Sequence, residues 1–542
     1  MSATSNIVEA VIDKHDVCDG GPEAKKVKLN SANAEEKAAN LDGNKPADKE
    51  LEPLCNGNNG SHSVANGNGV TTVSKLTESA EKDSKEKEES KQPDGKAVAN
   101  DAAEAETVEA PDDSSPGEVL WCGTTKWQLL HDKKAKLPNL YSPHRMESLI
   151  GVRISKVFSG TVACHVVLVT VEGQALTFGR NQLGQLGVGD RVTSVQARPV
   201  EALRNIRVVS AACGRSHTLF LTSRGEVFAC GDNRSGQLGI GSVANGKDTG
   251  VPTPKPMAMP TVGSRRIAQV EAGGDFSLLI DSSGMMFTCG HPENGQLGHG
   301  SDSQYFEGTK LVHKMESRLA PIVSFVREEE GRGGRPGAKS VIEGVRVIAA
   351  SCGPSHCACL DSEGRLWTWG FGGYGRLGHN STRNELRPRL VNYFSNTRQR
   401  VDRVSCGGAY TIATTAPANP SAPPVTYLWG QQKSSGEANM YPKALMDLSG
   451  WSIRRLSAGN RSCAVLADTS CITWGPSPTF GELGHGDMVK SSARPMVCKA
   501  LERVRVAEVA MGYAQCVFLV PLKSDGSDAE EKLGKYPVCR DK

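Results

Sequence analysis

No Phe, Trp or Tyr occurs in the first 116 positions of this 542-residue chain, and the same stretch holds 13 Lys/Arg against 24 Asp/Glu. A segment with so little apolar surface cannot offset its own ordering entropy, which predicts a disordered acidic tail over residues 1–116. Long hydrophobic runs are missing too. No apolar stretch approaches the ~20 residues needed to span a bilayer, and Met1–Ala10 lacks a basic start followed by an apolar core. A soluble, intracellular chain without membrane insertion is expected. None of the 16 cysteines forms a Cys-x-x-Cys pair, so neither a zinc pair nor a redox pair is indicated. Cys357 and Cys359 alternate along an apolar run, as two buried residues on one face of a strand would. No metal or cofactor is expected.

What the sequence does contain is repetition. Gly-x-x-His, an apolar run, a turn ending in Gly, an aromatic or Cys before Gly, and then Gly-x-Leu-Gly recur along the chain. The clearest copies run from Cys213-Gly214-Arg215-Ser216-His217 to Gly236-Gln237-Leu238-Gly239 and from Cys352-Gly353-Pro354-Ser355-His356 to Gly375-Arg376-Leu377-Gly378. Markers at Gly160, Gly214, Gly273, Gly353, Gly407, Gly459 and Gly512 are separated by 54, 59, 80, 54, 52 and 53 residues. Units of one size mean a repeat architecture.

The apolar runs are short and bounded by turns, as strands are; in the second copy they span residues 206–212, 217–222 and 226–230. Gly173, Gly225, Gly284 and Gly364 stand where a short hairpin loop requires positive φ. A four-stranded unit has two apolar faces and cannot bury both alone, whereas units stacked radially can. The reading is an all-β, seven-bladed β-propeller over residues 117–521, followed by a flexible C-terminal tail at 522–542. The last copy stops before its own Trp-Gly element. Val119-Leu120-Trp121-Cys122-Gly123 has the form of Tyr427-Leu428-Trp429-Gly430, so an N-terminal strand is expected to close the ring.

Residues 117–542 carry 50 Lys/Arg against 36 Asp/Glu. A basic body favours an acidic partner, such as nucleic acid, chromatin, the tubulin surface or an acidic protein; a merely solvated basic surface has the same composition. Within the acidic tail, Lys25, Lys26 and Lys28 are grouped and read as a nuclear import signal for an import receptor.

Two glycine motifs are set aside. Residues 241–248 nearly spell a phosphate loop, but Asp248 stands where a Ser/Thr would hold Mg²⁺. Residues 370–375 satisfy G-x-G-x-x-G at the place where other copies carry their repeat loop. His165, His217 and His356 are replaced in other copies by Phe276, Tyr410, Ser462 and Gln515, so they read as structural. His299, His379 and His485 follow Gly-x-Leu-Gly and are candidate rim contacts, with no nucleophile or acid/base set beside them.

Residues 211–219, Gly236-Gln237-Leu238-Gly239 and the pairs Trp369-Gly370, Trp429-Gly430 and Trp474-Gly475 closely resemble the regulator of chromosome condensation repeat, over residues 117–521. Residues 369–379, 440–444 and 474–484 are similar to a narrower branch of that family, distinct from its founding nuclear exchange factor. The resemblance implies a mitotic scaffold that contacts microtubules, the centromere complex, the spindle midzone and chromatin, and is nuclear in interphase. It also implies binding to small GTPases of the Ras/Rho superfamily, with guanine-nucleotide exchange and no covalent chemistry. The alternative is a chromatin- or microtubule-binding platform without exchange. Asp275 matches by local motif an acidic residue of the founding factor.

The founding factor also uses an inserted wedge. The 80-residue step places an insertion at about 318–344. Residues 322–326 and 340–342 are expected to pair as a projecting hairpin whose tip carries Glu328, Glu329, Glu330, Arg332 and Arg335. These five and Asp275 are the candidate GTPase contacts; a tolerated surface insertion is the other reading of the loop.

Overall fold

The repeat unit becomes a four-stranded antiparallel sheet because each apolar run is one strand long and each turn has its glycine. In the second copy the strands are Val208–Cys213, His217–Thr222, Val227–Asp232 and Gly250–Pro256, paired in that order. The first three lie within two residues of the expected runs, and the hairpin glycines have φ near +80° (Gly173 86°, Gly225 80°, Gly284 87°, Gly364 75°). The computed structural model describes residues 115–540, apart from 128–129, 131–137, 260–265, 330–336, 418–422, 434–436, 477–479, 503 and 523–530. The expected tail, with Lys25, Lys26 and Lys28, lies outside the described residues, as do Glu330, Arg332 and Arg335.

The architecture is an all-β propeller. Five separate sheets carry the second to sixth copies, and one nine-stranded sheet carries the rest. In the nine-stranded sheet, Gly117–Thr124 pairs antiparallel with Gln515–Pro521, placing Leu120 opposite Phe518 and Cys122 opposite Cys516. Its alternation divides its side chains between two cores. Val119 and Trp121 join Trp127, Phe178, Val517 and Leu519, while Leu120 and Cys122 join Leu466, Cys471, Cys498 and Phe518. The first strands of the copies neighbour one another from Ile154–Phe158 through Val208–Cys213, Ile267–Ala272, Val347–Cys352, Val401–Cys406, Ile453–Ala458 and Glu508–Met511, and back to Ile154–Phe158.

Each sheet has two ends. The first-to-second-strand turn (Gly-x-x-His) and the third-to-fourth-strand loop lie at one, called here the turn end. The central hairpin and the connector to the next sheet lie at the other, the hairpin end. Gly214 shows why the marker is glycine: an added Cβ would stand 2.1 Å from His217 Cε1, so the ring lies directly over it. The second glycine of Gly-x-Leu-Gly is fixed from the neighbouring sheet. A Cβ on Gly378 would meet Trp429 Nε1 at 2.9 Å, and one on Gly484 would meet Cys122 Sγ at 3.5 Å. The N-terminal strand thus stands beside Gly484 as the Trp429 strand stands beside Gly378, but less tightly, with Cys498 of the glycine's own sheet equally near at 3.4 Å.

The long third step divides in two. Residues 318–321 belong to the fourth strand of the third sheet, Glu316–Pro321. Part of the excess precedes it, as an unforeseen hairpin of Gln304–Glu307 and Lys310–His313 in the third-to-fourth-strand loop. The remainder follows as Phe325–Glu328 paired with Lys339–Ile342. This second hairpin does not project freely: Val326 pairs with Arg389, which adds the hairpin to the outer edge of the fourth sheet.

The C-terminal segment also departs from expectation. Beyond residue 530 it is docked: Leu533 is fully buried, Tyr536 donates to the Ala500 carbonyl at 2.5 Å, and Val538–Cys539 pairs with Asn139–Met146. One apolar side chain and one short edge pairing give this segment a seat that composition does not reveal.

Candidate functional site

The recurring histidines are ties between sheets. His165 Nε2 lies 2.8 Å from Thr218 Oγ1, His217 Nε2 3.1 Å from Ser277 Oγ, and His356 Nε2 3.1 Å from Thr411 Oγ1. Each hydroxyl donates its own proton to a carbonyl, of Gln185, Gln237 or Arg376. The hydroxyl oxygen therefore accepts from the imidazole, which fixes the neutral Nε2–H tautomer. Burial pushes His165 down to about 3 and His217 down to about 4. These rings are unsuited to proton transfer near neutrality. His299, His379 and His485, candidate rim contacts from sequence, face inward as well: their Nε2 atoms lie 2.8, 2.9 and 3.0 Å from the hydroxyls of Thr288, Thr368 and Thr473.

Glu328 is also an anchor. It ends its strand only 3% exposed, with its carboxylate 2.9 Å from Arg383, 3.2 Å from Lys339 and 3.4 Å from Arg389. Glu385, equally enclosed, meets Arg389 at 2.8 Å and Lys339 at 2.9 Å. Burial opposes ionisation of Glu328, but Arg389, Lys339 and Arg383 together hold it below the usual carboxylate range. The cluster fastens the second hairpin to the fourth sheet, so Glu328 is withdrawn from any tip. Glu329 is exposed, its amide bonded to the Ala338 carbonyl at 3.0 Å.

Asp275 lies elsewhere, at the turn end of the third sheet. Its carboxylate is 3.7 Å from Arg215 of the second sheet, and its carbonyl accepts from the His291 amide at 2.9 Å. His291 Nδ1 is 3.9 Å from Glu293, and its ring centroid is 6.1 Å from that of His313. Burial lowers the His291 pKa, against the opposing pull of Glu293 and Asp275. His313 ends the first hairpin, with Nδ1 2.8 Å from the Asp302 carbonyl. A polar cluster of Arg215, Asp275, His291, Glu293 and His313 therefore stands at the root of that hairpin.

The hairpin itself leaves large apolar side chains in solvent. Tyr305 is 47% exposed, Phe306 74% and Leu311 48%, with Phe306 directly opposite Leu311. An isolated two-stranded ribbon is marginal in water; this one is held at its base by the His313 bond and by the Lys314 amide on the Ser303 carbonyl at 2.9 Å. Large aromatic side chains left in solvent on a fixed support are a mark of partner binding. The available sequence signal was Tyr305-Phe306-Glu307-Gly308-Thr309-Lys310-Leu311-Val312, two apolar pairs about a Gly-containing turn. That signal is weak because the pattern is only four residues long on each side of the turn and lies outside the repeat's own phrases.

The structure thus separates the candidate contacts. Asp275 shares an end with the aromatic hairpin, while the Glu328 hairpin leaves the connector at the opposite end. Among the described residues no group of three or more His, Cys, Asp and Glu side chains is placed to hold a metal, and no helix is long and apolar enough to cross a membrane.

The regulator of chromosome condensation (RCC1) repeat matches this chain over residues 172–221, 224–280 and 363–414, and a second form of that repeat matches 208–237, 267–296 and 347–376. Protein RCC2 of Homo sapiens is 37% identical over 80% of this chain and 81% of its own length. The RCC2 homolog of Danio rerio is 37% identical over 81% and 87%. Among solved structures, Prp20p of Saccharomyces cerevisiae shares the fold, with a TM-score of 0.58 at 18% identity, covering 78% of this chain and 95% of that one. With its glycine markers, stacked sheets and relatives in agreement, the chain belongs to the regulator of chromosome condensation repeat family.

Proposed function

We propose that this chain is a seven-bladed propeller, closed by its N-terminal strand, that binds and regulates small GTPases of the Ras/Rho superfamily while acting as a scaffold on mitotic chromosomes, centromeres and the spindle midzone. The cyclic neighbouring of the first strands supports seven blades, with the nine-stranded sheet counted as two. The Prp20p structure is described with its binding to Gsp1p and histones, and a second structure holds the same yeast protein bound to Kap60. These relatives motivate a GTPase, chromatin and an import receptor as partners here. The import receptor would read Lys25, Lys26 and Lys28, giving nuclear localisation in interphase.

The observation that carries the GTPase reading is the aromatic hairpin beside Asp275. A rigid ring that holds Phe306 and Leu311 outward can reach into a partner without prior ordering, and Asp275 with Arg215 offers charge at its root. Exchange then needs no covalent step. The rim binds the nucleotide-free conformation of the GTPase more tightly than the loaded one, and this difference shifts the population. Contact by residues 328–335 remains part of the proposal only through Glu329 and the tip beyond it, because Glu328 is committed to its own cluster.

The basic body favours a second reading, a chromatin- or microtubule-binding platform with no effect on exchange. A nucleotide-release assay across nuclear, Ras-like and Rho-like GTPases separates the two. Acceleration that is lost with Phe306→Ala supports exchange at this rim; no acceleration with any GTPase leaves the platform.

A further inference from the structure

Among the described residues the dipeptide Asn-Gly occurs twice, and its two copies stand in opposite surroundings. Asn245-Gly246 lies in the third-to-fourth-strand loop of the second sheet, and Asn294-Gly295 in the corresponding loop of the third. We propose that Asn245 is a self-modification site, at which the folded chain converts an exposed amide into an aspartyl or isoaspartyl carboxylate and so adds a negative charge to the turn end as the molecule ages.

The chemistry needs a side-chain amide free to turn, a following backbone nitrogen free to attack it, and no side chain in the way. The Gly246 nitrogen, after losing its proton to hydroxide, attacks Asn245 Cγ. The new C–N bond closes a succinimide ring as the bond from Cγ to the amide nitrogen breaks, and ammonia leaves with a proton taken from water. Water then opens the ring at either carbonyl. Opening at the backbone carbonyl reroutes the chain through the old side chain and gives isoaspartate; opening at the other gives aspartate. Each product carries a carboxylate where the amide was neutral, and only water is consumed.

The loop is clamped on both sides of Asn245 and open between. Before it, the Ala244 amide donates to the Asn233 carbonyl at 2.9 Å, and Asn233 Nδ2 donates to the Ser242 carbonyl at 2.9 Å. After it, Asp248 lies 2.6 Å from Arg191, the Thr249 hydroxyl donates to Asp232 at 2.6 Å, and the Thr249 carbonyl accepts from the Asn233 amide at 3.0 Å. Asn245, Gly246 and Lys247 are exposed. Among the described residues no hydrogen bond engages the Asn245 side chain or the Gly246 amide. No heavy atom lies within 4 Å of a Cβ built on Gly246, whose φ is 99°.

Asn294-Gly295 lacks that freedom. The Gly295 amide donates to the Pro292 carbonyl at 2.8 Å, so the attacking nitrogen is engaged, and a Cβ on Gly295 would stand 2.9 Å from Leu386 Cα of the next sheet. The Asn294 amide is held by Gln296 Oε1 at 2.8 Å. A backbone that cannot turn cannot bring its nitrogen onto Cγ, and reaction within one chain depends steeply on such approach. The same two residue types are therefore reactive in one loop and protected in the next.

The clamps also decide what the modification leaves behind. The extra backbone methylene of isoaspartate falls in the open segment, so Ala244 and Asp248 keep their bonds and the sheet is undisturbed. The phrase at 241–248, which fails as a phosphate loop, thus has a chemistry of its own. An exposed isoaspartyl residue is moreover the group that an S-adenosylmethionine-dependent isoaspartyl carboxyl methyltransferase accepts.

The test is peptide mapping of the full chain by tandem mass spectrometry after incubation at mildly alkaline pH. The tryptic peptide 235–247, cut after Arg234 and Lys247, should gain the mass difference between an acid and an amide at Asn245 at least ~10-fold faster than Asn294 does in its own peptide. In urea, where the fold no longer distinguishes the loops, the two rates should converge. Gly246→Ala should slow the gain at least ~10-fold, because a side chain now hinders the approach. A purified isoaspartyl carboxyl methyltransferase should label peptide 235–247 of the aged parent but not that of aged Asn245→Gln. Circular dichroism checks that both variants fold, and the comparison of the two pairs within the parent needs neither of them. Equal rates at Asn245 and Asn294 in the folded chain would overturn the proposal, and so would a gain at Asn245 that appears only in urea.

Discussion

His165 and Thr218, 53 residues apart in the chain, meet at 2.8 Å in a fully buried bond that ties one sheet to the next. Thr218 passes its own proton to the Gln185 carbonyl at 2.6 Å, so three groups of two sheets are satisfied together. Thr218→Val should leave the imidazole N–H unpaired and that carbonyl with only the weaker Cys230 thiol, at 3.5 Å. A loss of about 2–3 kcal/mol is expected in urea unfolding; a loss below that of an exposed Thr→Val control would remove the tie.

The same histidines set a pH dependence. Their folded-state pKa values lie below the ordinary 6.5, so the unfolded chain binds more protons and stability is lost as pH falls from about 6.5 toward the folded values. Replacing His217 by Gln should flatten the dependence of the urea midpoint on pH between 6.5 and 5. An unchanged slope would contradict a neutral buried ring.

Glu482 has the opposite sign. It stands in Gly481-Glu482-Leu483-Gly484 where other copies have Gln185, Gln237 and Gln296, and it accepts from the Phe480 amide at 3.0 Å as those glutamines accept within their own turns. Burial pushes its carboxyl up to about 7. A raised folded-state pKa gives stability that is present below about 4.5 and lost as pH rises through 7. Glu482→Gln should therefore stabilise the chain at pH 8 by up to about 3 kcal/mol and have little effect at pH 5. Thermal melts at the two pH values check this; equal shifts at both would refute it.

Arg389 serves two buried carboxylates, Glu328 and Glu385. Its removal in Arg389→Met should destabilise the chain by about 3–5 kcal/mol, because both acids stay enclosed with less compensation. Hydrogen exchange should then rise first in residues 325–328 and 339–342. Uniform exchange across all sheets would deny the cluster its local role.

Phe306 and Leu311 form a cross-strand pair with little burial. Phe306→Ala with Leu311→Ala should leave the melting temperature within about 1 °C of the parent, since surface changes away from packed features are nearly neutral. GTPase binding measured on the same samples should fall at least ~10-fold, as for a contact hot spot. Undiminished binding would move the site off the hairpin.

Much of the ring was legible because its signals are local. Positive φ at Gly173, Gly225, Gly284 and Gly364, and strand alternation at Val119 to Cys122, depend on neighbours a few residues away. Repetition at about 50-residue steps then multiplied a weak signal into an architecture. The long third step is legible only in part, for the converse reason: residues 325–328 and 339–342 pair within the expected insertion, but the hairpin at 304–313 precedes it. Length arithmetic gives one excess, but two hairpins on opposite ends of a sheet share it. Glu328 looked like a charged tip in sequence, whereas its partner Arg383 lies 55 residues away.

The sequence alone determined the repeating unit, its hairpins and the need for a closing strand, since backbone conformation and alternate burial follow from residue type at short range. Only the tertiary structure decided which charges are spent inside, which aromatic hairpin stands free beside Asp275, and which Asn-Gly pair lies open. Those outcomes depend on side chains brought together from different sheets, where burial and pairing compete over distances that no local pattern records.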